Sequence, residues 1–445
     1  MKTFDSIALG VPRILLPKPG IDLTKWAVIA CDQHTSEPEY WRKVEEFVGD
    51  SPSSLNLIYP EVYLGEADAD ARIRRIREHM AGYLGQKIFT EAERFVYVER
   101  WTGQGLRRGL LVCLDLECYD YGRGASSLIR ASEGTILERI PPRVKIREGA
   151  PLEIPHIMVL VDDPGDMVIG PLAAGKSGLA RLYDFDLMME SGHLTGYGVK
   201  NERLEKGVIN ALQELADPKT FASKYGLTPG TPVLLYAMGD GNHSLATAKA
   251  IWEKTKEQAG GLAPVMSSAL RYALVELVNL HDRALVFEPI HRVLFDIPAA
   301  GDVFKEMEVF YGGRIQLIPC SSAEEMKTAV DGQQGSPHKI GVISPSGFGV
   351  IEVSNPETNL PVGTLQNFLD AFMKGKGARE IDYVHGAEAA IRLGQREGCA
   401  GFYLPAIDKR ELFRTVILDG ALPRKTFSMG EAREKRFYME ARRLS

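Results

Sequence analysis

TPVLLYAMGDGNHSLATAKAIW, Thr231 to Trp252, is the stretch on which the fold turns. Its first eight residues form a continuous apolar run, as in a central strand buried on both faces. From His243 the composition suits a helix, and the pattern continues to a close at Gly260-Gly261. Between them lies a glycine-framed acid, Gly239-Asp240-Gly241. Glycines at these places permit positive φ and let a ligand approach the backbone. The helix start that follows offers unpaired N–H groups and a positive dipole end, which together suit an anion. Asp240 would hold a divalent cation or orient a hydroxyl, and His243 would act as acid, base or phosphate donor. The plainer alternative is a tight turn in which Asn242 or Ser244 caps the helix and His243 packs.

Outward from this turn, strands and helices alternate. WAVIACD (26–32) reads as a buried strand, and EPEYWRKVEEFVG as a helix with Pro38 in its first turn and Gly49 as its stop. A second helix covers EADADARIRRIREHMAGYLG, acidic first and basic later. RFVYVERW and RRGLLVCLDLECYD, split by TGQG, form a hairpin. PHIMVLVDDP is a further strand. GLARLYDFDLMME and NERLEKGVINALQELA read as helices, and LRYALVELVNL and ALVFEPI as apolar runs. Between Asp302 and Val353 the expected order is helix, strand, helix, strand, strand.

The chain has 445 residues, more than one hydrophobic core usually serves. The expected fold class is mixed α/β, a mixed sheet core with a smaller α/β subdomain. Four segments are expected. These are an N-terminal α/β domain over 1–165, a central domain with the turn over 166–300, the small subdomain over 301–355, and a C-terminal segment over 356–445 completing the central domain. A net charge of -6 argues against a nucleic-acid grip. The five cysteines are scattered, without Cys-x-x-Cys, which points to a reducing, cytoplasmic setting rather than a disulfide framework. No stretch of 18 or more apolar residues suggests a membrane span.

Other chemistry gathers at the ends of apolar runs, where α/β sites tend to form. Asp32, Gln33 and His34 follow the first strand. VNLHDR offers Asp282, EPIHR offers His291 and Arg292, IDYVHG offers Asp382 and His385, and LPRKTFSMG offers Arg424, Lys425 and Thr426. Each also reads as a capped loop. GPLAAGKS, Gly170 to Ser177, fits the phosphate-loop pattern, with Lys176 reaching phosphates and Ser177 a magnesium ion. Against it, Pro171 stands where a backbone N–H should serve a phosphate. Metal-binding His-x-x-x-His and the Gly-x-Ser-x-Gly elbow are missing.

CDQHTSEPEYW, LYDFDLM, GDGNHSLATAK, LVNLHDRALVFEPIHR, YVHG and LPRKTFSMGEAREKRFYMEARR occur in this order. With them the chain resembles the domain of unknown function 1015 family over nearly its full length. Many members carry Asp-Gly-His-His-Arg at the central turn, similar to the phosphate-binding turn of the ParB/sulfiredoxin superfamily. That superfamily includes nucleotide-binding partition proteins, sulfiredoxins and free-serine kinases. Asp240, Gly241 and His243 match the signature. Asn242 stands for its first histidine and Ser244 for its arginine, which removes a fork that would grip phosphate. Lys425, Arg292 or Arg424 would have to replace it. The glycines around Lys176 are not part of the family pattern.

The resemblance implies a nucleotide-dependent, kinase-like phosphotransferase acting on a small hydroxyl-bearing metabolite, with ATP or ADP and Mg²⁺ held at Asp240. Catalytic roles fall to Asp240, His243 and His34. The nucleotide or anion would meet Gly239, Gly241, Asn242, Ser244, His291, Arg292, Arg424, Lys425 and Thr426. Asp32, Gln33, Asp282, Asp382 and His385 would line the same pocket. The alternatives are a nucleotide-independent enzyme on a small acid or sugar and a ParB-like nucleotide-binding regulator. A homo-oligomer is compatible with each.

Overall fold

A computed structural model describes residues 1–122, 124–298, 302–331 and 335–444. The chain divides into two compact units, Met1–Val286 with Gly430–Ser445, and Phe287–Met429. The expected boundaries at 165 and 355 fall inside these units, and that at 300 lies outside the described residues.

The first unit is built on a mixed sheet. Its main strands are β1 (Phe95–Thr102), β2 (Gly105–Asp115), β3 (Met158–Val161), β4 (Ala180–Asp186), β5 (His193–Val199), β6 (Tyr236–Asp240) and β7 (Tyr272–Asn279). Their order is β4-β5-β1-β2-β7-β3-β6, continued by the short strands Ile129–Arg130 and Tyr119–Asp120. β1 and β2 form the expected hairpin, closing at the pair Thr102↔Gly105. β3 runs parallel to β7 and antiparallel to β6, so strands from either side of residue 165 share one sheet.

Side chains alternate across a strand, and here both faces are covered. Val96, Val98, Leu111, Cys113 and Leu274 join one apolar cluster with Trp41 and Val44 of helix α1 (Pro38–Val48) and Ile73 and Ile76 of α2 (Ala69–Gly85). Phe95, Tyr97, Leu110, Val112 and Val275 join the other, with Val208 and Leu212 of α3 (Glu202–Leu215) and Leu245 and Trp252 of α4 (Asn242–Gln258). β4 corrects an expectation, because GLARLYDFDLMME supplies a strand rather than a helix. Tyr183 and Phe185 alternate inward with exposed neighbours, and pairing with β5 outweighs the helical composition. WAVIACD is also less regular than expected. Trp26 ends a short helix, and only Val28–Ile29 is strand, paired with Phe437–Tyr438.

The second unit holds β8 (Phe287–Phe295), β9 (Ile315–Cys320), β10 (His338–Ser344), β11 (Gly347–Val353), β12 (Glu380–His385) and β13 (Ala400–Tyr403), in the order β9-β11-β10-β13-β8-β12. Helices Val303–Phe310 and Ala323–Asp331 give the expected order over 302–353. That stretch shares its sheet with β13, so it is part of a larger body. Among the described residues no helix is long and apolar enough to cross a membrane.

Candidate functional site

β6 ends at Asp240, opposite Met158 at the start of β3. Gly241 then turns the chain with φ 78, and a Cβ there would lie 3.1 Å from the Cα of Ile157. Glycine is thus required for conformation and for space. Gly239, by contrast, belongs to the strand. Asn242 and Ser244 are helical residues, and among the described residues no side chain caps this end of α4. Asn242 Oδ1 is buried without a hydrogen-bond partner among the described residues. His243 Nε2 accepts the Ile136 N–H at 3.3 Å, facing the loop after Ile129–Arg130, which runs parallel to β6.

The segment leading into β3 brings in a buried histidine, His156. Its Nδ1 lies 2.7 Å from the Tyr438 hydroxyl, which also accepts the Cys31 N–H at 3.1 Å. Its Nε2 faces Ser244 Oγ at 3.2 Å and Asp32 Oδ2 at 3.5 Å. Gln33 Nε2 donates to the other oxygen of Asp32 at 3.0 Å. Lys435 Nζ stands 3.1 Å from Asp240 Oδ2. Glu61 is ion-paired with Arg143, and its N–H donates to the Cys31 carbonyl at 2.8 Å.

These groups set one another's charge. Burial opposes a proton on His156, but Asp32, with smaller help from Asp240 and Glu61, raises its pKa above the usual value. Burial likewise opposes charge on Asp32, yet His156, Gln33 and Lys435 hold it well below the ordinary carboxylate range. Glu61 moves the other way, raised by burial and by Asp32 despite Arg143. His156, drawn toward its protonated form, and the Lys435 side chain therefore stand beside the start of a 17-residue helix that no side chain caps among the described residues. That combination is of the kind that suits an anion, and Glu61 is the neighbouring carboxylate made more basic.

Of the expected site residues, Asp32, Gln33, Asp240, Gly241, Asn242, His243 and Ser244 gather here. His34 shares the loop of Asp32, but its ring stacks on Tyr40 at 3.7 Å and its Nδ1 meets Glu37 at 3.1 Å. Asp282 lies at the opposite end of the sheet. β7 is parallel to β3, so residues after Asn279 emerge where β3 ends, whereas Asp240 sits where β3 begins. There Asp282 accepts the Arg108 N–H at 3.1 Å. Lys176 pairs with Glu99 at 2.7 and 2.8 Å, and Gly170–Ala174 is a short helix, so this segment forms no phosphate cradle.

His291, Arg292, Asp382, His385, Arg424, Lys425 and Thr426 belong to the second unit. Arg292 is buried, with its guanidinium 5.1 Å from the Tyr383 ring. Arg424 lies 5.6 Å from that ring and donates from Nε to the Tyr383 hydroxyl at 2.8 Å. His291 stacks on Tyr403 and accepts the Leu404 N–H, and burial, with Arg292 next, pulls its pKa down to about 4. Asp382 accepts the Tyr383 N–H, His385 faces Ile290 across the β8–β12 ladder, and the Thr426 hydroxyl donates to the Pro423 carbonyl. Lys425 adopts a positive φ of 57. In the first unit the lysine at the turn is Lys435.

His156, Tyr438, Lys435, Glu61 and Arg143 are absent from the sequence-based set. The available signal for His156 was a polar residue at the entry to an apolar strand. For Lys435 and Tyr438 it was only a basic, aromatic tail.

A family model described as "Protein of unknown function (DUF1015)" matches residues 15–372. This chain belongs to the DUF1015 family. The matched stretch holds Asp32, Glu61, Arg143, His156 and Asp240 of this DUF1015 member, while Lys435 and Tyr438 lie beyond it. No curated protein matches the chain. Among solved structures, a conserved hypothetical protein from Pyrococcus furiosus is similar at 13% identity and TM-score 0.36, covering 72% of this chain and 90% of that one. A free serine kinase in complex with AMP is similar at 10% identity and TM-score 0.39, covering 74% and 90%. SbnI from Staphylococcus aureus, truncated at its C-terminus, is similar at 10% identity and TM-score 0.34, covering 75% and 81%.

Proposed function

We propose that this protein is a kinase-like phosphotransferase that binds a nucleotide at the start of α4 and phosphorylates a small hydroxyl-bearing metabolite. On this reading the Gly239–Ser244 turn serves as a ParB/sulfiredoxin-like phosphate cradle. The observation that carries the proposal is the placement of His156 and Lys435 beside a helix start that no side chain caps among the described residues. Phosphoryl transfer needs positioning and charge neutralisation more than covalent help from the protein. The helix N–H groups would hold phosphate oxygens, and His156 and Lys435 would offset their charge. The substrate oxygen would bond to the terminal phosphorus as the bridging P–O bond breaks and the shortened nucleotide leaves. The Glu61 carboxylate, made more basic by burial and by Asp32, would take the hydroxyl proton, and Asp32 would favour the protonated form of His156.

Asp240 is engaged by Lys435, and among the described residues no three His, Cys, Asp or Glu side chains are grouped to hold a metal. The donor set therefore does not form a protein-built magnesium cage, and the steps above run through no metal.

Calorimetry with ATP, ADP and CTP, with and without magnesium, tests binding, and ³¹P NMR over a panel of hydroxylated metabolites tests transfer. Silence toward all three nucleotides would sink the proposal. Binding of small carboxylic acids alone would favour the nucleotide-independent reading, and binding without turnover the regulatory one.

A further inference from the structure

A small cavity in the first unit is lined by Arg100, Arg107, Glu276, Arg436, Phe437 and Glu440, none of which the proposed phosphoryl transfer uses. Its charged walls are deeply buried, since Arg100, Arg107, Glu276, Arg436 and Glu440 are each 5% exposed or less. The sheet explains how they meet. Arg100 and Arg107 are directly paired across β1 and β2. Glu276 stands on β7 and folds over Gly109, where an added Cβ would lie 2.3 Å from Glu276 Oε1. Arg436 arrives from the C-terminal segment and donates to Glu276 Oε2 at 2.8 Å and Glu440 Oε2 at 2.6 Å.

The hydrogen bonding of this wall is incomplete. Arg100 donates to the carbonyls of Trp101 and Arg433, and Arg107 to the carbonyl of Glu434. Arg100 Nε, Arg107 Nε and Glu276 Oε1 are buried without partners among the described residues. Burial, with Arg107 next, brings the Arg100 pKa down to about 9. A buried polar atom left unpaired is costly, so three of them on residues that line one small cavity call for a shared partner.

We propose that this cavity binds one ordered water molecule, which accepts from Arg100 Nε–H and Arg107 Nε–H and donates to Glu276 Oε1. The stoichiometry of donors and acceptors selects the ligand. A halide could accept from both arginines but has no proton for Glu276 Oε1. An ammonium ion could donate to Glu276 but would face two N–H donors. Water has two lone pairs and two protons, the only match for two donors and one acceptor at this size. The cavity volume of about 10 Å³ is near the smallest that admits a single water. The molecule would tie β1, β2 and β7 together beneath the C-terminal segment.

Crystals of the full chain, at a resolution that places waters, provide the test, with a second set grown with bromide replacing chloride. The expected result is a density peak within hydrogen-bond distance of all three atoms and no anomalous bromide signal there. Bromide at the position would overturn the proposal in favour of an anion site. An empty cavity, or direct pairing of Arg100 or Arg107 with Glu276, would overturn it as well. Magnetic relaxation dispersion adds a solution readout. Wild type should show one more long-lived water than Gly109→Ala, whose methyl group displaces the Glu276 carboxylate. An equal count in a folded variant would count against the site.

Discussion

His156 is the residue on which the proposed chemistry depends. Its folded pKa is raised, so its favourable interaction is fully present below the unfolded value, about 6.5, and is lost as pH rises through the folded value. On the proposed function, nucleotide affinity should fall as pH rises through that raised folded value, and titration calorimetry from below about 6.5 upward would detect it. His156→Gln should weaken binding by about tenfold, the loss of about 1.4 kcal/mol, and flatten the pH profile. A Gln variant with an unchanged profile would place the titrating group elsewhere. Gly241→Ala tests the turn itself. The left-handed φ and the nearby Ile157 backbone should cost about 2 kcal/mol in chemical denaturation. The sequence made Gly241 legible because glycine there has a local reason. His156 was not legible. Its partners Asp32, Ser244 and Tyr438 come from three distant segments, and no local pattern encodes that meeting.

At the scale of elements, it is the segment from Arg433 to Glu440, and not Lys425 and its neighbours, that brings a lysine to Asp240 in the first unit. It crosses one face of the sheet, where Lys435 meets Asp240, Arg436 meets Glu276 and Tyr438 meets His156. Tyr438→Phe would leave His156 Nδ1 and the Cys31 N–H without their shared hydroxyl. The expected cost is about 1–3 kcal/mol of stability, together with a shifted His156 resonance in NMR titration. A variant as stable as wild type with the same imidazole pKa would show that the hydroxyl does not position the ring. Secondary structure was easiest to read where period and punctuation agreed, as in α1, α2, α4 and the β1–β2 hairpin. β4 was misread because its partner β5 supplies the reason for a strand, and composition alone does not.

At the scale of the whole molecule, the second unit interrupts the first. The chain enters it at Phe287 and leaves at Met429, which are direct partners in the β8 ladder. Entry and exit points this close can be joined without stretching the chain. Residues 287–429 expressed alone should fold cooperatively, with a single denaturation transition by both circular dichroism and tryptophan-independent fluorescence. Residues 1–286 and 430–445 joined by a short Gly-Ser linker should retain the Asp240–Lys435 constellation. A linked first unit that stays unfolded would show that the division is not one of independent stability. The mixed α/β class was legible from the alternation of apolar runs and helical patterns. The interruption was not, because nothing in the composition near 286 or 430 marks a crossing.

The wide sequence separation of His156 and Tyr438 has a consequence during synthesis. The two residues are 282 positions apart, which at roughly 5–20 residues per second is a delay of about 15–60 s on the ribosome. Through that interval the nascent sheet has its buried histidine without its tyrosine partner, and the turn has its acid without its lysine. The His156–Tyr438 and Asp240–Lys435 pairs are thus completed late, after the entire second unit has been translated, so a prematurely terminated chain would have much of a fold and neither pair.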